Sequence, residues 1–204
     1  MIGRCAATKL VACHLTNGLA GHNEFRVDEI SQRHRAVELW REGYQHHIRA
    51  FAFAGAKSDC EAVEELNAAV NFYSQSIEVF PTAEAHTFRG WAYQSFGRID
   101  DAIEECKRAI EVDPEFGNPY NDIGAYLLAK GQPDDAIEWF EKAKLAPNYE
   151  PRHYPFMNLG RLYAQKGMVM KAIEEFAEAL RLAGDDPAAE SIAEQLAHLR
   201  AMLN

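Results

Sequence analysis

"FRGWAYQSFGRIDDAIEECKRAIEVDP", residues 88–114, is followed 34 positions on by "DIGAYLLAKGQPDDAIEWFEKAKLAPN" (122–148), and 36 further on by "NLGRLYAQKGMVMKAIEEFAEALRLAG" (158–184). The three stretches share one plan. A glycine leads (Gly90, Gly124, Gly160), a tyrosine or leucine follows three residues later (Tyr93, Leu127, Tyr163), and a second glycine comes next (Gly97, Gly131, Gly167). Two alanines seven apart close each unit (Ala102 and Ala109, Ala136 and Ala143, Ala172 and Ala179), with Cys106, Phe140 or Phe176 between them. A helix can end on a glycine in the left-handed conformation. Each unit therefore reads as two helices joined at that second glycine. Small residues on both helices let the backbones approach, and each hairpin leaves apolar surface that only a neighbour can bury.

The flanks extend the same plan. From about residue 28 the chain is helical in pattern, with no strand alternation. Val37, Trp40, Tyr44, Ile48 and Phe51 step by three or four and form one apolar stripe, which ends near Gly55. Ser58-Asp59-Cys60-Glu61 has capping-box form and opens a helix that Pro81 stops. At the far end Asp186 and Pro187 start a helix whose apolar face is Ile192, Leu196, Leu199 and Leu203. That helix reads as a terminal cap, which stacked repeats require, or as a docking element for a partner. About nine helices are expected, the cap counted and the first 27 residues left out.

In its period of about 34 residues and its Gly, Tyr, Ala, Phe, Ala order, with Pro114 at the unit's end, the sequence resembles the tetratricopeptide repeat family. The resemblance is strong over 83–186. It extends to 59–81 as a divergent second helix, where Ala69, Tyr73, Ser76 and Pro81 take the places of Ala102, Cys106, Ala109 and Pro114. The first helix of that divergent unit has no glycine in register. The fold implied is all-α: a right-handed superhelix (α-solenoid) of helical hairpins. Its parts are an irregular tail (1–27), a divergent hairpin (28–82), repeats at 83–116, 117–152 (two residues longer) and 153–186, and a capping helix (187–204).

The resemblance also implies a function. First helices of successive repeats would line a groove for a segment of a partner protein. By position the groove would present Glu84, Thr87, Phe88 and Trp91, then Asn118, Asn121, Asp122 and Ala125, then Tyr154, Met157, Asn158 and Arg161. Phe88, Trp91 and Tyr154 would be apolar anchors, and Asn121 and Asn158 would bond a peptide backbone. Packing between repeats is the competing role for the aromatic side chains, and evenly so for Trp91. With Glu84 and Asp122 along the path, the segment should be apolar with basic residues. Co-chaperones of this family that grip a C-terminal carboxylate use lysines, an arginine and asparagines. The corresponding positions here are Thr87, Trp91, Asp122, Tyr154 and Asn158, so that role is not expected. A non-catalytic adaptor is the first reading, and a dedicated chaperone for a secreted or membrane-active client is the alternative.

Composition narrows the classes. The 204 residues carry a net charge of -10, which argues against binding nucleic acid through its phosphates. No run of 18 uncharged apolar residues exists to span a membrane. Cys5, Cys13, Cys60 and Cys106 show no pairing pattern, which suggests a reducing, cytoplasmic setting. Residues 1–27 are net positive; a loose extension, a targeting peptide and a lipoprotein box at Leu10-Val11-Ala12-Cys13 are the three readings. His46 and His47 are adjacent and cannot share a metal on one helix face. Glu104-Glu105, Glu174-Glu175 and Asp100-Asp101 read as a solvated outer face. No phosphate loop, nucleophile elbow or zinc signature is present, so no catalytic residues, metal or cofactor are expected.

Overall fold

The computed structural model describes the backbone of residues 8–55 and 59–203, and the side chains of 28–53 and 60–203. The described residues form nine helices: α1 (Thr8–Gly55), α2 (Asp59–Val79), α3 (Ala83–Ser95), α4 (Ile99–Val112), α5 (Asn118–Ala129), α6 (Pro133–Leu145), α7 (His153–Gln165), α8 (Val169–Ala183) and α9 (Ala188–Ala201). They stack as four antiparallel hairpins, α1–α2, α3–α4, α5–α6 and α7–α8, with α9 closing on α8. The result is an α-solenoid, as expected from the repeats.

Two local devices make each regular hairpin. The first is the turn. Gly97, Gly131 and Gly167 have φ of 73°, 74° and 71°. At each one the next residue's N–H reaches back to a carbonyl of the preceding helix: Arg98 to Tyr93 at 2.9 Å, Gln132 to Leu127 at 2.9 Å, Met168 to Tyr163 at 2.8 Å. This is the Schellman closure, made three times. The second device is the notch. A Cβ placed on Gly124 would lie 2.6 Å from the Phe140 ring, and one on Gly160 would lie 3.0 Å from Phe176. The alanines flanking those rings are fully buried. The helices thus touch where side chains are smallest, and the ring of one fills the notch of the other.

The first hairpin uses the same notch. A Cβ on Gly43 would meet the Tyr73 ring at 2.7 Å, so a glycine of α1 is in structural register although it is out of sequence register. Notch and ring are 16 residues apart in the regular hairpins and 30 apart here. The added 14 residues divide equally, seven after Gly43 and seven before Tyr73. Each helix is therefore about two turns, or about 10 Å, longer at the loop end. Ala50 and Leu66, also 16 apart, form a second small–large layer inside that extension and belong to the same core cluster as Tyr73.

An ion network marks the two layers alike. His86 Nδ1 and Arg89 Nε lie 2.9 Å from Glu105 Oε2. His46 Nδ1 and Arg49 Nε lie 2.6 and 3.0 Å from Glu65 Oε2. The spacing, i, i+3 and i+19, is the same in both. Glu105 is thus buried at 3% exposure and is not on a solvated face. Glu175 is likewise drawn inward, by Lys144 at 2.9 Å. Burial alone would raise the Glu105 carboxyl; the His86 hydrogen bond and Arg89 outweigh it and hold it below its usual value.

Two further differences from expectation have plain causes. On α1 the buried face is Ala36, Leu39, Gly43, His47 and Ala50, whereas Tyr44, Ile48 and Phe51 are exposed. Close helix contact selects small residues at Ala36, Gly43 and Ala50, with Leu39 and His47 between them, and Tyr44, Ile48 and Phe51 flank the seam. Over 8–27 the backbone continues α1 where an irregular tail was expected; elongating a nucleated helix offsets the roughly 1 kcal/mol cost of a glycine such as Gly18 or Gly21. Residues 1–7, Ser58 and the side chains of Cys5, Cys13, His14 and His22 lie outside the described residues. The extra two residues of the 117–152 unit sit between α6 and α7, a seven-residue link against five between α4 and α5. There the link pairs with its predecessor, Gly117 N–H donating to the Asn148 carbonyl at 2.8 Å, and Tyr149 packs into the space left by Gly117. At the C-terminal end, Asp186 Oδ1 accepts the Ala188 N–H at 2.8 Å and so starts α9.

Candidate functional site

The odd-numbered helices share one side of the stack. Helix α1 approaches α3, α3 approaches α5 and α5 approaches α7. Among the described residues, α2, α4, α6 and α8 make no comparable approach, and the open space beside α1, α3 and α5 lies on the side of the odd-numbered helices, the groove of α1, α3, α5 and α7.

The N-terminal half of this groove is aromatic. Phe88 meets Trp40 and Tyr44 edge-on, with ring centres 5.2 and 5.4 Å away, and lies 4.4 Å from the Trp91 ring. Trp40 and Tyr44 stack at 5.9 Å. Phe88 is thus part of the packing between α1 and α3, the role that competed with binding. Tyr44 and Phe51 extend the same surface and remain open at 37% and 62% exposure.

The middle of the groove is polar. Trp91 Nε1 donates to Asp122 Oδ2 at 2.6 Å across α3 and α5. Asn158 Nδ2 donates to Asn121 Oδ1 at 3.0 Å across α5 and α7. Asn121 also bonds Asp122. The two asparagines therefore join repeats to each other, and each keeps polar atoms for a ligand. Burial pushes the Asp122 carboxyl up to about 7, against the opposing hydrogen bonds from Trp91 and Asn121.

The remaining expected positions divide. Arg161 is exposed, with Nε 3.5 Å from Gln195 Oε1 on α9. Tyr154 is open to solvent beside His153, its ring centre 4.4 Å away. Asn118 lies at the start of α5, its amide 3.5 Å from the Glu150 carbonyl. Thr87 and Met157 are buried and present nothing to the groove. Thr87 donates to the Ala83 carbonyl of its own helix, and Met157 joins the core under α8 and α9. Sequence reasoning missed Tyr44 and Phe51 as groove residues; the signal was their place on the apolar stripe, one side of the small-residue seam. Among the described residues no group of three metal-ligating side chains converges, and no helix is long and apolar enough to cross a membrane.

Family models described as "Tetratricopeptide repeat" match residues 83–116, 105–138 and 155–186. Small glutamine-rich tetratricopeptide repeat-containing protein 2 of Mycosarcoma maydis is 30% identical over 82 residues, 40% of this chain and 23% of that protein. The chain thus spans about a quarter of that relative's length. The pilF protein of Pseudomonas aeruginosa superposes with a TM-score of 0.58 at 23% identity, covering 78% of this chain and 68% of that one. YrrB, described as a TPR protein with an unusual peptide-binding site, superposes with a TM-score of 0.51 at 22% identity, covering 77% and 75%. These likenesses place the fold.

Proposed function

The chain belongs to the tetratricopeptide repeat family through residues 83–138 and 155–186, and on that premise we propose that it is a non-catalytic adaptor holding a segment of a partner protein in the groove of α1, α3, α5 and α7. Proteins of this family mediate protein–protein association. One observation carries the finer reading: exposed aromatic surface (Tyr44, Phe51) adjoins in one groove a line of half-buried polar groups (Trp91, Asp122, Asn121, Asn158). Apolar anchors beside directional hydrogen-bonding groups are what a peptide site needs, the first for affinity and the second for register. A neighbour in fold, YrrB, is described as having a peptide-binding site, which agrees with this use of the architecture. The segment should be apolar with basic residues, because the acids along the path have no role against an acidic ligand.

A photo-reactive amino acid placed at Gln94 or Tyr154, on the groove side, should cross-link to the bound partner. The same group at Glu138, on the outer side of α6, should not. Cross-linking only from Glu138 would move the interface to the outer face.

A further inference from the structure

Between α1, α3 and α5 lies a cavity of about 340 Å³ lined by Phe51, Trp91, Gln94, Asp122, Ala125 and Tyr126, with Ala129 at its edge. Phe51 belongs to the two extra turns of α1. A first helix of regular length would stop short of it, so the long hairpin builds one wall. Ala125 and Ala129 keep the opposite wall low. The acidic group among these walls is the Asp122 carboxyl. Trp91 occupies Oδ2 of Asp122 and fixes the group's direction. Its other neighbours, Asn121, Tyr126, Tyr149 and Cys106, are neutral groups. Among the described residues no lysine or arginine pairs with it.

A half-buried carboxylate flanked by aromatic rings, with no countercharge of its own, is an incomplete arrangement. Three features of the site are complementary to one ligand chemistry. The carboxylate favours a cation, the aromatic walls favour a cation with apolar or delocalised character, and the gap above the alanines suits a flat group on a flexible stem. We infer that this cavity is a receptor for a guanidinium side chain. An arginine entering between Phe51 and Trp91 would pair with Asp122 and stack on the rings. That the arginine belongs to a bound segment rests on the groove reading above. Burial raises the proton affinity of the Asp122 carboxyl, and pairing with a guanidinium would lower it again.

N-acetyl-arginine amide and N-acetyl-citrulline amide, which differ in charge and little in shape, test this directly. Each is titrated into the full chain while the Trp91 indole N–H resonance is followed by NMR, the resonance being assigned by its loss in Trp91→Phe. The arginine compound should shift it and bind at least about fivefold more tightly than citrulline, about 1 kcal/mol. Asp122→Asn should remove the difference. Ala125→Leu, which fills the cavity without touching the carboxylate, should weaken the arginine compound. Equal binding of the two compounds, or no shift with either, would overturn the receptor. A random peptide library panned on the same chain separates the two readings. If selected peptides depend on Tyr44 and Phe51 while the arginine probe leaves Trp91 unmoved, the groove stands and the receptor falls. If the probe binds and no peptide is selected, the receptor stands without its segment.

Discussion

Gly124 is the position where the packing account is most exposed to test. A glycine inside a helix normally costs about 1 kcal/mol relative to alanine, so Gly124→Ala would stabilise a helix that had room for it. Here the new Cβ would lie 2.6 Å from Phe140 Cε1 and 2.8 Å from two more ring atoms. Phe140 is fully buried in the cluster that holds Phe176, Met157 and Leu159, so the ring can retreat only by displacing its neighbours. Overpacking of this kind costs about 1–3 kcal/mol. Set against the helix gain, Gly124→Ala should lose up to about 2 kcal/mol, and Gly124→Leu more. In a chain of this length each kcal/mol lowers the melting temperature by roughly 2–4 °C. Urea unfolding followed by far-ultraviolet circular dichroism reads the difference. The order of cost for alanine should be Gly124, then Gly160 (nearest atoms at 3.0 Å), then Gly90 (3.2 Å to a carbonyl). Phe140→Leu should soften the penalty when combined with Gly124→Ala, a coupling of about 0.5–3 kcal/mol. A Gly124→Ala protein more stable than wild type by about 1 kcal/mol would refute the notch, because that is the gain at an uncrowded site.

Gly131→Ala meets no atom within 4 Å yet has φ of 74°; it should cost about 1–2 kcal/mol through backbone strain alone, read in the same urea titration. Glu105→Ala removes the acid from His86 and Arg89 and should destabilise by about 3–5 kcal/mol, as breaking a buried pair does; a melting temperature within a degree or so of wild type would show that the network carries little. The pH dependence divides by sign. Asp122, raised from 3.8 to about 7, binds a proton in the folded chain that the unfolded chain has lost, so its contribution to stability falls as pH rises between those values. His47, lowered from 6.5 to about 4 by burial, acts oppositely: its contribution falls as pH drops through that interval. Melting curves from about pH 5 to about pH 7 should show wild type losing stability relative to Asp122→Asn as pH rises, and parallel curves would contradict the raised carboxyl.

The repeat plan was legible because its marks are steric and periodic. A notch needs glycine, its filling needs a ring or a thiol, and a left-handed turn needs glycine again, so Gly124, Phe140 and Gly131 announce themselves at fixed spacing. The first hairpin was harder to read. Its notch, Gly43 with Tyr73, is separated by 14 further residues, so alignment by period passes over it. The stripe through Tyr44, Ile48 and Phe51 was visible, but its direction was not. Hydrophobicity marked the large residues of that stripe, while the seam itself is built from Ala36, Leu39, Gly43, His47 and Ala50. Glu105 looked like any acid on a charged helix face. Its burial depends on His86 and Arg89, 19 and 16 residues away on another helix, a relation that only its repetition in His46, Arg49 and Glu65 would have betrayed. For the groove, register placed Trp91, Asn121, Asp122 and Asn158 on one side. It misplaced Thr87 and Met157, because a one-position step around a helix exchanges groove for core.

Binding of a partner segment in the groove between the odd-numbered helices turns on Asn121 and Asn158. They bond each other, so replacing both with alanine removes the pair together, and Asp122, which loses Asn121, keeps its bond from Trp91. Calorimetric titration of a peptide selected on the wild-type chain, repeated on the double variant, is the direct measurement. Two lost hydrogen bonds at about 0.5–1.5 kcal/mol each predict affinity lower by about fivefold or more, with the helical signal unchanged. Equal affinity in the double variant and wild type would contradict the account and place the interface on another face of the solenoid.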